Sequence, residues 1–239
     1  MTSLTRFSVR FTLSWRRSLF AFLSIMLLLC LGFWQLQRAD EKKQMLSAHA
    51  HLAEQPSRLW VSNGQAPNQY QPIHVRGQFL STILLLDNQH YRHQFGYHVV
   101  SPLQLENGKL ILVDRGWLLG DITRQRLPII KTPVGRVMVR GSAYYPSKNN
   151  WNSGPLIEKE QADSVVIETI DTKLISQFLH KPIYPFIIRL GPHEAAGYIR
   201  DWSIVAMPPE RHYGYAVQWF AMAFVVFIIF ITLTFKKKT

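Results

Sequence analysis

Two long runs without a formal charge, one near each end of the chain, limit its architecture more than any other feature. Residues 18–37 give 20 uncharged positions and residues 213–235 give 23. At 1.5 Å per helical residue, either run crosses a hydrocarbon core about 30 Å thick. The first run holds eleven Leu, Ile and Phe residues, each favouring insertion by roughly 0.3 to 0.6 kcal/mol at the helix centre. The second is apolar on every face from Phe220 onward, where a soluble amphipathic helix shows a polar stripe. A cleaved signal peptide is disfavoured, because its apolar core runs only about 7 to 15 residues.

Arg6, Arg10, Arg16 and Arg17 precede the first run, and Lys236, Lys237 and Lys238 follow the second. Basic residues beside short flanks stay in the cytoplasm, so residues 1–17 and 236–239 are expected there. The spans are then 18–37 and 212–235, with a juxtamembrane helical segment over 38–56 and a periplasmic domain over 57–211. The expected location is a bacterial inner membrane, crossed twice; a long Arg- and Ser-rich leader of mitochondrial type is not seen.

These seven basic residues are part of a net charge of +12, and the other Lys and Arg are scattered among 15 acids. No basic stripe or recognition-helix pattern points to nucleic acid. Cys30, the sole cysteine, lies in the first apolar run, which excludes an intramolecular disulfide and CxxC redox chemistry.

Between the runs the texture is that of strands and turns. Gly96 to Trp117 reads as a hairpin around Glu106-Asn107-Gly108-Lys109, with positive φ expected at both Asn107 and Gly108. Further strands are expected at 73–79, 83–87, 134–144, 165–168, 184–190 and 202–206. One helix is expected after Asp171, with Leu174, Ile175, Phe178 and Leu179 on its apolar face and Pro182 ending it. Residues 145–154 read as a loop. The fold class is therefore two antiparallel transmembrane helices flanking a mainly antiparallel β (α+β) extracytoplasmic domain.

Several motifs follow one another in a recognisable order. They are Gly32-Phe33-Trp34-Gln35-Leu36-Gln37-Arg38, Tyr70-x-Pro72-Ile73-x-Val75-x-Gly77-x-Phe79, Gly96-Tyr97-His98-Val99-Val100-Ser101-Pro102-Leu103, Val113-Asp114-Arg115-Gly116-Trp117, and Arg211-His212-Tyr213-Gly214-Tyr215-Ala216-Val217-Gln218-Trp219-Phe220. Together they resemble the surfeit locus protein one family, assembly factors for haem-copper cytochrome oxidase. Asp114 stands where that family has Asn, and Asn150-Trp151-Asn152 matches its Trp-containing loop weakly.

His212 lies at the outer end of the second run, where a neutral imidazole can ligate haem iron. Tyr215 and Ala216 follow one turn inward and Trp219 two turns inward, on one face. Ala216 is small enough for a flat macrocycle to approach, and Trp219 suits a porphyrin edge or isoprenoid tail. From the residues alone an interfacial aromatic belt is the better account of His212, Tyr213, Tyr215 and Trp219. The resemblance implies haem A handling instead. Because the helices are antiparallel, Trp34 and Arg38 are expected on the same side as His212; Arg38 or Arg211 can pair with propionates, although Arg211 reads better as a snorkelling charge.

The resemblance also implies cytochrome c oxidase subunit I as a partner, with haem A synthase as a second, in the lipid bilayer, and no catalysed reaction. The alternative is a membrane-anchored structural chaperone for an oxidase subunit that holds no haem. A two-helix chain-length regulator for surface polysaccharide is a third reading, disfavoured by the strand-rich middle. His90, His93 and His98 raise a metal site on spacing alone, while hydrolase and phosphate-loop motifs are missing. Asp114 and Arg115 read as a structural ion pair.

Overall fold

The structure is a computed structural model that describes residues 9–11, 15–61, 65–146, 157–161 and 163–237. Along the chain lie β1 (Val9–Phe11), α1 (Trp15–Ala53), β2 (Arg58–Leu59), β3 (Pro72–Phe79), β4 (Ile83–Tyr91), β5 (Gln94–Leu105) and β6 (Leu110–Leu119). They are followed by β7 (Arg136–Tyr144), β8 (Ile157–Gln161), β9 (Ser164–Ile167), α2 (Thr172–Phe178), β10 (Ile183–Leu190), α3 (Pro209–Thr234) and β11 (Phe235–Lys237). The chain divides into two units, Met1–Ala48 with Ile204–Thr239, and His49–Ser203.

In the first unit α1 and α3 are both long and apolar enough to cross a membrane. The 39 residues of α1 make a rod of about 58 Å, so the expected span and juxtamembrane segment are one continuous helix. The helices meet along small residues. Ala21, Gly32 and Ala39 of α1 and Ala216 and Ala223 of α3 are buried, while Phe20, Leu27, Val217 and Phe224 are bare. Beyond the helices, β1 pairs antiparallel with β11, Val9 opposite Lys237. Val9–Phe11 and Phe235–Lys237 therefore lie together at one end of the helix pair.

The second unit is built on one sheet in the order β2-β3-β7-β10-β6-β5-β4-β9-β8, and an extra β3–β5 pairing closes five strands into a ring. Within the ring only β6 and β10 run parallel. Strand alternation sends one set of side chains inward: Val75, Leu103, Ile111, Val113, Val139 and Ile188 fill the barrel. The opposite faces of β4, β5, β6 and β10 bury Leu84, Val100, Leu112 and Ile187 under Ile175 of α2 and Val165 and Ile167 of β9.

The Asp171 carboxylate caps α2 by accepting from the Lys173 and Leu174 amides, as its position predicts. Leu174, however, is 43% exposed; Ile175 carries the contact. In the β5–β6 hairpin only Gly108 takes positive φ, at +79°. The Leu105 amide donates to the Lys109 carbonyl and the Gly108 amide to the Leu105 carbonyl. Three residues therefore close the loop, with glycine in the left-handed position, rather than a two-residue turn needing positive φ at Asn107 as well. Residues 202–206 form no strand; the Trp202 indole instead donates to the Leu190 carbonyl across the end of β10. Strand β8 was not expected, because its sequence, Ile157-Glu158-Lys159-Glu160-Gln161, has little β-branched or aromatic content. Most of the expected 145–154 loop lies outside the described residues.

Candidate functional site

Spacings of three and four residues carry the inner stripe of each helix, the pattern of left-handed helix pairs. On α1 it runs through Ala21, Ile25, Leu28, Gly32, Gln35 and Ala39, and on α3 through Pro209, His212, Ala216, Phe220 and Ala223. Gly32 lets the Phe220 ring come so near that an added Cβ would sit 2.4 Å from Phe220 Cε1. Phe33 meets the same ring edge-on, with centroids 5.3 Å apart.

One turn outward from Ala216 the stripe becomes polar. His212 Nδ1 lies 2.8 Å from the amide oxygen of Gln35. An amide oxygen only accepts, so Nδ1 carries the proton and donates. In that tautomer a neutral ring keeps a lone pair on Nε2, and that atom is buried without a hydrogen-bond partner among the described residues. A buried polar atom left unpaired calls for an explanation. A histidine whose second nitrogen is fixed by a donated hydrogen bond is the arrangement found at metal-bound imidazoles. Nearby, the Tyr213 hydroxyl donates to Asp40 Oδ1 at 3.0 Å.

Of the residues expected to form the site, His212, Ala216 and Trp219 lie on the side of α3 that is wholly or partly covered. Tyr215 is 43% exposed and Trp34 48% exposed. Arg38 lies over the Trp34 ring at 5.7 Å and is paired with Glu41 at 2.7 Å. Trp34 and Arg38 are each one position away from the Gln35–Ala39 stripe, so a 100° turn of helix directs them to the neighbouring face. Gln35 is the partner that reasoning from residue types overlooked. Its signal is its place three residues after Gly32 and four before Ala39.

In the barrel unit the histidines at 90, 93 and 98 do not converge. His90 packs on Phe95 and His93 takes a left-handed turn conformation. His98 Nδ1 donates to the Asp114 carboxylate at 3.0 and 3.2 Å. Among the described residues no group of three or more His, Cys, Asp or Glu side chains is placed to hold a metal ion. The expected Asp114–Arg115 ion pair does not form, since neighbours on a strand point to opposite faces. Arg115 turns inward and plugs one end of the barrel. Its Nε donates to the Ala196 carbonyl, Nη1 to Ser101 Oγ and Nη2 to the Lys131 carbonyl.

Residues 22–224 match the profile of the SURF1 family. The chain belongs to the SURF1 family. A SURF1-like protein of Rickettsia felis is 27% identical over 224 residues, covering 90% of this chain and 96% of its own. One from Rickettsia prowazekii is 26% identical over 220 residues, covering 87% and 85%. A SURF1-like protein of Dictyostelium discoideum is 30% identical over 99 residues, covering 36% of this chain and 37% of its own.

The glycines and tryptophan of the matched barrel segments are largely architectural. A Cβ on Gly77 would meet the Gln104 carbonyl at 2.5 Å, and one on Gly96 the Leu118 carbonyl at 2.3 Å. Gly116 needs φ of +107°, its amide donates to Asp114 Oδ1, and the Trp117 indole donates to the Gln89 carbonyl. The matched residues on the two helices differ, because they leave His212 Nε2 without a partner among the described residues.

Proposed function

We propose that this SURF1 protein is a membrane-anchored assembly factor for a haem-copper cytochrome oxidase, holding haem A as cargo through His212. The reading rests on the unpaired Nε2 of His212, which suits an axial ligand for haem iron. Gln35 holds the tautomer that bares this lone pair. Ala216, one turn inward, is buried where the two helices meet, and Trp219, partly covered on the same side of α3, offers an aromatic edge beyond it. The family as a whole is known for oxidase assembly, which favours subunit I as the recipient.

Membrane anchoring is supported by the bare outward faces of α1 and α3, which in water would be a large exposed apolar patch. Termini in the cytoplasm and a periplasmic barrel follow from Arg16, Arg17 and the Lys236–Lys238 run by the positive-inside rule. A deletion strain tests the proposal. Loss of haem A-type absorbance from the oxidase, restored by the wild-type gene and not by His212→Ala, is expected. Normal oxidase activity in the deletion strain would overturn it.

A further inference from the structure

Arg115 is 1% exposed, yet no carboxylate lies within ion-pair distance of it among the described residues. Its contacts are two backbone carbonyls, one serine hydroxyl and the rings of Tyr198 and Phe79, 5.2 and 5.8 Å from its Cζ. Three of its five N–H groups have named acceptors, and burial pushes the guanidinium below its ordinary pKa. A buried cation without a counter-ion is costly unless something else neutralises it.

Beside this guanidinium is a cavity of about 450 Å³, lined by Arg115, Lys131, Thr132, Pro133, Tyr198 and Ile129 among others, with no acidic residue in its wall among the described residues. The volume is in the range of small-ligand sites, and a barrel mouth is a common place for one. Thr132, which lines this cavity and a neighbouring one, has its Oγ1 buried without a hydrogen-bond partner among the described residues. A cavity, a buried cation without a counter-ion and an unused hydroxyl thus share one set of residues, with the exposed Lys131 and the apolar Ile129, Pro133 and Tyr198 completing the wall.

We propose that this cavity binds a singly charged carboxylate carried on an apolar body, with Arg115 opposing its charge and Thr132 Oγ1 donating to it. One negative charge matches the one buried cation, and Ile129, Pro133 and Tyr198 take up the apolar part. The carboxylate is either a free acid from the surrounding compartment or a fatty acid from the lipid surface. The site lies wholly in the barrel unit and does not depend on haem binding at His212.

The test uses the full-length protein in detergent and in phosphatidylcholine vesicles. Binding is followed by calorimetry and by the shift in melting temperature that a native-state ligand produces. Saturable binding of benzoate in detergent supports a free acid, and saturable binding only of oleate in vesicles supports the lipid source. Thr132→Val is expected to weaken the binding about fivefold, the loss of one hydrogen bond. The same substitution should leave the unliganded melting temperature equal or higher, because it removes an unpaired hydroxyl. Arg136→Gln, an exposed cation beside Glu106, should bind as wild type does. No saturable binding of benzoate or oleate to the wild type would overturn the proposal, whatever the variants do. So would unchanged affinity in Thr132→Val, or inorganic phosphate binding as tightly as benzoate.

Discussion

Gln35 on α1 and His212 on α3 are 177 residues apart in sequence and joined by a 2.8 Å hydrogen bond. Because the amide oxygen accepts, the bond decides which imidazole nitrogen is left bare. Gln35→Leu removes that control and lets the proton move to Nε2. Losing such an outer partner typically costs about 10- to 100-fold in metal affinity, so the variant should purify with far less haem than wild type. Gln35→Glu, which still accepts, should retain it. The haem-to-protein ratio measures both.

Close helix approach at Gly32 gives a second expectation. A branched side chain there collides with the Phe220 ring, and packing of small residues is what holds helices together in lipid. Gly32→Val should lower the amount of folded protein in membranes, and adding Phe220→Ala should restore much of it. Equal accumulation of Gly32→Val and wild type would show that the helices do not pack through this contact.

In the barrel, Arg115 bonds the segments around Lys131 and Ala196 to the strand that carries it. Arg115→Leu leaves two carbonyls and the Ser101 hydroxyl without this donor. Each unmet group costs roughly 1 to 3 kcal/mol, so a total loss of at least about 3 kcal/mol is expected. Urea unfolding followed by tryptophan fluorescence measures it.

Acid should weaken the barrel unit through His49. Burial first, and then the charge of Arg189, hold its pKa below the ordinary value of 6.5. The unfolded chain therefore takes up a proton at a pH where folded His49 does not. Stability contributed by the neutral form is present above about pH 6.5 and lost as pH falls toward the folded value. His49→Gln should flatten the stability profile below that pH. An unchanged slope would show that another group sets it.

Both helices and most strands were legible because their signals are local. Unbroken apolar runs mark α1 and α3, and β-branched stretches between turn residues mark β3, β5, β6 and β10. Closure of the ring was not legible, since β3–β5 and β6–β10 contacts join distant segments whose pairing no local pattern encodes. Asp114 and Arg115 were misjudged as a pair because adjacency in sequence is opposition on a strand. His212 stood out by residue type, whereas Gln35 did not. An amide in an apolar helix becomes informative only when the opposing helix shows what it faces.

Haem stoichiometry in the purified protein addresses the central proposal most directly. Wild-type protein from cells making haem A, and His212→Ala prepared alongside, should be compared by absorption spectrum and by extracted haem per chain. The proposal predicts haem A in the wild type and its loss from the variant, with the barrel still folded by circular dichroism. Equal haem in both, or none in the wild type, would contradict it.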